Sequence, residues 1–414
     1  MPAEKILTSL FRMGDAGSQF SSLKGVAEGD WADVVSAAAR HSLAPQLFAR
    51  LNDLGGLSDL PTEQAERLKN IYIGSVARGA RQAAELSKIL LRFSENALPV
   101  IVLKGPHLAE MVYEDWALRP MVDFDLMVRK YDLDRAVRLL KGSAYEPAKR
   151  FDIDSQVRIN ADLPVLSRGN HFHIELHWTI ERPGSPFVID VGELWKRAVR
   201  TTIAGTETLV FCDEDLLLHL CIHAAYHHRF SFGLLPVLDV AGVMDRLGDR
   251  IDWGRFVERT RKWNATRCVS LTLRLAEELF GIEVPPMLAK EGLFDGCDQG
   301  IVDVAKERMF QTSSDHMPLT SNISRLWGSK GWSEKLGIFL RNAFPSRDFL
   351  ATVYPVDAAS ARVFLYYPVR LKDLILRYGK TVFSLWLRKT AAVERVRREE
   401  QGNTLVDWLT GQAG

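Results

Sequence analysis

Asp123 and Asp125 stand two apart in VDFDLMV, where Val122, Phe124, Leu126 and Val128 alternate with Asp123, Asp125 and Met127. A period of two is that of a strand, so the two carboxylates emerge on one face. Carboxylates in that relation can bridge a pair of divalent cations. Ions about 3.5–4 Å apart stabilise both the attacking and the leaving oxygen of an in-line displacement at phosphorus. Mg²⁺ suits such a site, with Mn²⁺ as a substitute, because it takes one or two carboxylates and completes its octahedron with water and phosphate oxygens. HFHIELHW repeats the alternation, with Phe172, Ile174, Leu176 and Trp178 on one face and His171, His173, Glu175 and His177 on the other. Glu175 is the one acid on that polar face. It is the expected third carboxylate, able to ligate metal and to help deprotonate an attacking hydroxyl. His177 is expected to orient Glu175 or to touch the nucleotide.

Such side chains need a framework. LPVIVL, from Leu98, is a β-branched run with no helical period, and it ends at Lys104-Gly105-Pro106. Pro106 suits the first turn of a following helix through HLAEMVYEDW. Backbone amides at Lys104 and Gly105, with the helix dipole, then make a seat for phosphate, and the Lys104 ammonium adds a point charge. Arg119 is expected to supply a forked contact to the same phosphates. A second DxD, Asp152 and Asp154, is set aside because no strand, Lys-Gly and helix precede it. The order strand, Lys-Gly, helix, Arg, acidic strand, helix, acid-bearing strand spans about residues 97 to 180.

Around this core the apolar period is helical. DWADVVSAAARHSLAPQLFARL and ARQAAELSKILLRFSEN read as helices, broken near Gly55, Gly56 and Pro61. EDLLLHLCIHAAYHH, PVLDVAGVMDRLG, WGRFVERTRKW and VSLTLRLAEELFG read likewise. The expected class is α+β: a small mixed-sheet core embedded in larger helical units. Its parts are a helical unit at 1–96, the core at 97–200, a helical substrate wall at 201–288 and a helical extension at 289–414.

Composition excludes some classes. Fifty-three Lys and Arg nearly cancel 52 Asp and Glu, so no whole-chain field draws the protein to nucleic acid. Cys212, Cys221, Cys268 and Cys297 lie too far apart for a CxxC site or a disulfide framework. No signal-peptide pattern and no bilayer-length apolar run is present, so a cytoplasmic location is expected.

Taken together, VIVLKGPHLAEMVYEDWALRPMVDFDLMV, HIELHW, LLLHLCIHAAYHH and LLPVLDVAGVM resemble the uncharacterised nucleotidyltransferase family of bacterial biosynthetic clusters. The likeness covers roughly Asp30 to Pro286. It implies a polymerase-β-like fold and transfer of a nucleoside monophosphate from a nucleoside triphosphate (NTP), with release of pyrophosphate. It places Asp123 and Asp125 on the family's metal-binding acids and Lys104-Gly105 on its phosphate-loop signature. Glu175 departs from the Asp common at its position, which shifts the third ligand. The acceptor would be a small molecule or peptide of a biosynthetic pathway. Two rivals stay open: a toxin-like enzyme acting on tRNA or protein, and a non-catalytic nucleotide-binding scaffold.

Other patterns have two readings each. His173, Glu175 and His177 share a strand face and could hold zinc, although positions two apart on one strand converge poorly on a tetrahedral ion. His219, His223 and His227 recur every fourth residue, either as a metal pair or as a face packed over the sheet, with Asp239 as a partner. Between Arg362 and Arg398 basic residues interleave with Phe364, Tyr366, Tyr367, Tyr378, Phe383 and Trp386. That stretch fits either a polyanion-binding surface or an amphipathic helix.

Overall fold

The computed structural model describes residues 3–14, 26–311, 340, 343–354, 356, 359–374, 376 and 390–411. Its helices are α1 (Ala3–Leu10), α2 (Trp31–Arg40), α3 (Ala44–Asp53), α4 (Thr62–Glu95), α5 (Lys104–Met111), α6 (Leu133–Lys141), α7 (Ile153–Ile159), α8 (Val191–Arg197), α9 (Asp213–Ile222), α10 (Leu235–Leu247), α11 (Trp253–Lys262), α12 (Thr266–Phe280), α13 (Pro286–Lys290), α14 (Gln299–Phe310), α15 (Arg347–Val353) and α16 (Thr390–Leu409). The strands are β1 (Ile101–Val102), β2 (Phe124–Met127), β3 (Glu146–Pro147), β4 (Leu166–Arg168), β5 (Phe172–His177), β6 (Val199–Ile203) and β7 (Thr206–Val210). They form one mixed sheet in the order β3-β4-β5-β2-β1-β7-β6. The class is α+β, as the alternating and helical patterns imply.

The register of the central strands places the acids. β2 runs parallel to β5 with Asp125 opposite Glu175 and Met127 opposite His177. β1 lies antiparallel to β2, with Val102 opposite Leu126. The apolar faces Phe124, Leu126, Ile174 and Leu176 are each at most 1% exposed, so a one-residue slip would turn the acids into that apolar layer, away from Lys104, and is excluded. Val122 breaks the expected alternation, since it is 76% exposed. β2 begins only at Phe124, and Val122 and Asp123 belong to the approach.

The hairpin β6–β7 lies within residues that the helical and core readings passed over. Ala204 and Gly205, both at positive φ, form its two-residue turn. β7 pairs parallel to β1 and extends the core sheet on that side.

The chain divides into two compact units. One comprises residues 1–146, 165–180 and 186–314; the other comprises 147–164, 181–185 and 315–414. The helices before and after the core thus pack in one unit with it. In the other unit α7 meets α15, where Arg158 Nε donates to Asp348 Oδ1 at 2.7 Å. Asp152 of the second DxD accepts from the Ser155 amide at 2.8 Å and caps α7. Tyr378, Phe383 and Trp386 of the basic stretch lie outside the described residues.

The helix that matters most for the acids is α4, 34 residues long. Ser75, Gly79 and Gln82 share one of its faces by their spacing of four and three. Ser75 Oγ donates to the Ala117 carbonyl at 2.7 Å, and Gln82 Nε2 donates to the Met121 carbonyl at 2.9 Å. Between them, a Cβ added at Gly79 would sit 2.9 Å from the Trp116 carbonyl carbon. The loop that delivers Asp123 is therefore clamped against a bare stretch of helix backbone.

Gly79→Val should cost about 2–4 kcal/mol of stability, because the backbone it meets has no side-chain freedom to yield. Chemical denaturation measures it. An unchanged unfolding midpoint would contradict this close approach.

Candidate functional site

Lys104 opens α5 directly after β1, and the chain turns there because Leu103, in extended conformation, precedes the first helical residue. Pro106 lies in the first turn, where its missing amide hydrogen has no helical partner to lose. Lys104 Nζ lies 3.0 Å from Asp125 Oδ2. On its other side, His177 Nε2 donates to Asp125 Oδ1 at 3.0 Å. The same nitrogen is 3.6 Å from Glu175 Oε2. Asp125 is 2% exposed. Burial alone would raise its pKa, but Lys104 and His177 outweigh burial and hold it well below the carboxylate range.

Asp123 behaves oppositely. Burial, and then the negative charge of Asp125, push its pKa up to about 6, against partial relief from Lys104. The charge of Glu175 acts in the same direction as Asp125. Three carboxylates are thus crowded beside one ammonium, which is a site short of positive charge. Asp125, Glu175 and His177 each offer a ligand atom, and these atoms lie within 4.8 Å of one another. His177 stands in that trio, a position the sequence pattern assigned to Asp123. Two carboxylates with one imidazole could hold a divalent cation. His173 is drawn away from the group, paired with Ser167 Oγ at 2.8 Å.

Arg119 is placed differently from a phosphate contact. Its Nε and Nη2 donate to Asp239 Oδ1 and Oδ2 at 3.0 and 2.8 Å, and Nη1 donates to the Pro120 carbonyl at 3.0 Å. The Tyr113 hydroxyl donates to Asp239 Oδ1 at 2.9 Å. Burial and then the charge of Asp239 hold the Tyr113 pKa well above its ordinary value. Arg119 thus ties the loop before Asp123 to α10, with Asp239 as the anchor. That carboxylate serves Arg119 and Tyr113, where the sequence left it as a candidate histidine partner.

The histidine face departs from a straight helix. α9 passes at His223 into a π-turn, His223–His227, a form that concentrates at functional sites. The wider turn pairs His223 Nε2 with His228 Nε2 at 2.6 Å, and the two Nδ1 atoms of His223 and His227 lie 3.4 Å apart. Burial, then the positive charge of Lys104, pushes His228 down to about 3 and holds His223 and His219 below the imidazole range. Burial therefore disfavours the charged form of His219, His223 and His228, which lie within electrostatic reach of Lys104. His228 was not among the residues read from the sequence. Its signal was present in the adjacent pair His227-His228, which a strict period of four passes over.

Residues 27–281 match the model of a family described as uncharacterised nucleotidyltransferase. That span is more than half of the 414 residues, and the chain belongs to this nucleotidyltransferase family. No curated protein matches the chain, and no solved structure does. Among the described residues no helix is long and apolar enough to cross a membrane.

The raised Asp123 pKa has a sign that can be tested. Below 3.8 the carboxyl is protonated in folded and unfolded chains alike, so it costs nothing. Above about 6 it is ionised in both, and the rise puts about 2–3 kcal/mol against the metal-free folded state. Asp123→Asn should therefore stabilise the metal-free protein by that order at pH 8 and by little at pH 4. Added Mg²⁺ should raise the wild-type melting temperature more than the variant's. Equal stabilities at pH 8 would show that the charges are not crowded.

Proposed function

We propose that the chain transfers a nucleoside monophosphate from an NTP to an acceptor hydroxyl, amine or phosphate and releases pyrophosphate. The observation that carries this reading is the ionised, buried Asp125, held between Lys104 and His177 at the N-terminus of α5. Membership of a nucleotidyltransferase family supports the same class of reaction.

Asp125 and Glu175, with Asp123 or His177, would hold the divalent cation. When bound, the cation supplies charge neutralisation at the phosphate oxygens. The residues of the chain do the rest. Lys104 offers its ammonium to the triphosphate, and the amides of Lys104 and Gly105 at the head of α5 donate hydrogen bonds to its phosphate oxygens. Glu175, whose side chain is 29% exposed against 3% for Asp125, takes the proton of the acceptor nucleophile as it attacks the α-phosphorus. His177 keeps Asp125 ionised and aimed. Arg119 acts through Asp239, fixing the loop that carries Asp123. Most of the barrier reduction comes from positioning and from charge already in place. The helices after the sheet would form the wall that selects the acceptor, a small molecule or peptide.

Each α-³²P-labelled NTP, incubated with the full chain, Mg²⁺ or Mn²⁺, and small-molecule, peptide, RNA or protein acceptors, tests the reading. Label should move to an acceptor with matching pyrophosphate release. Asp125→Asn should lower kcat/KM by about 10²–10³-fold or more. Lys104→Gln should raise KM for the NTP more than it lowers kcat. Tight NTP binding with no pyrophosphate release from any acceptor would favour a binding scaffold and contradict the proposal.

A further inference from the structure

Next to the site the chain builds a rigid, strained corner that the transfer chemistry does not use. After the π-turn, Arg229 and Phe230 both take positive φ, 49° and 55°, which non-glycine residues adopt at a cost. Four contacts hold them there. The Phe230 amide donates to the Ala224 carbonyl at 3.0 Å, and the Phe230 ring is buried. Arg308 Nε donates to the Arg229 carbonyl at 3.0 Å. The Ser231 hydroxyl donates to the His228 carbonyl at 2.6 Å. Gly233, at φ +77°, closes on His41 so tightly that a Cβ would lie 2.5 Å from Nδ1. A loop fixed at this many points nevertheless leaves one large apolar ring outside: Phe232 is 58% exposed.

Phe232 is the outer end of a ladder of rings. Phe211 meets His219 at 5.7 Å between centroids, His219 meets His223 at 5.9 Å, His223 meets His228 at 4.1 Å, and His228 meets Phe232 at 4.0 Å. The inner rungs adjoin the acid site, since the charges of Lys104 and Asp125 act on both His219 and His228. The hydrogen bond between His223 and His228 fixes the ring against which Phe232 rests. An exposed apolar ring resting on a hydrogen-bonded imidazole, at a corner of fixed backbone, matches the needs of a planar heteroaromatic ring. Aromatic faces stack on any base, and side chains already fixed lose no freedom on binding.

We infer that the Phe232–His228 corner is the stacking seat for the nucleobase of the triphosphate. The inference rests on the nucleotidyl-transfer reading and adds to it the place where the base is held. Stacking of this kind predicts weak discrimination among bases, because every base presents the same kind of face.

The test is equilibrium binding to the full chain in Mg²⁺, using each of the four NTPs and inorganic tripolyphosphate. Phe232 is exposed, so Phe232→Ala leaves folding intact, which circular dichroism verifies. The expected result is an NTP Kd weakened on the order of tenfold, an unchanged tripolyphosphate Kd, and recovery in Phe232→Tyr. Unchanged NTP binding in Phe232→Ala overturns the seat while leaving the transfer reading intact. Equal weakening for NTP and tripolyphosphate overturns it too, since the loss then lies with the phosphates. Wild-type protein that binds neither probe removes the transfer reading, and the seat with it.

Discussion

An ionised carboxylate at 2% exposure is the constraint around which this protein is organised. Burying a charge costs several kcal/mol unless partners replace the lost water, and removing one partner of a buried pair is far more damaging than never having had the pair. Asp125 has two partners, an ammonium on one oxygen and an imidazole on the other. They come from different elements, the head of α5 and the end of β5, so the charge can exist only when strand register and helix start are both correct. Placing Glu175 opposite Asp125 and His177 opposite Met127 on parallel strands does this with no freedom left to the loops.

The surroundings follow from that charge. Asp123 receives only part of the relief given to Asp125: burial, and then the charge of Asp125, outweigh Lys104 and His177 and carry its pKa up to about 6. The excess of negative charge is built into the fold and, on the proposed reading, would attract a cation and, with it, a triphosphate. Holding it requires a stiff approach to β2. Ser75 and Gln82 of α4 fix the Ala117 and Met121 carbonyls, and Asp239 of α10 fixes Arg119 between them. The loop between Trp116 and Met121 is thus fastened to helices on both sides of the sequence, and those helices share one compact unit with the sheet.

Much of this was legible in the sequence because it rests on short-range pattern. The period of two in DFDLM and HIELH gave the strands, and order along the chain brought Lys104, Asp125 and Glu175 together. The helical period gave α4 and the break at Gly55-Gly56. Pairings across long separations were not legible. Arg119 precedes the acidic strand by only a few residues, yet its partner Asp239 lies 120 residues on. Sequence proximity pointed its guanidinium at phosphate, whereas the fold gives it a buried carboxylate. The π-turn escaped because the helical period assumes a constant rise, and a single inserted residue moves His228 onto the face that His227 was expected to share. The β6–β7 hairpin has the right alternation in RTTI and TETLV, but its strands are half exposed and carry little apolar signal.

The most direct measurement is anomalous diffraction from crystals grown with Mn²⁺ and a non-hydrolysable NTP. The account predicts a metal peak about 2.0–2.2 Å from a carboxylate oxygen of Asp125, with a second acid of the site also in its shell. The triphosphate should lie against the head of α5 at Lys104. A metal bound elsewhere, or a triphosphate seated away from Lys104 while Asp125 keeps only its protein partners, would contradict it.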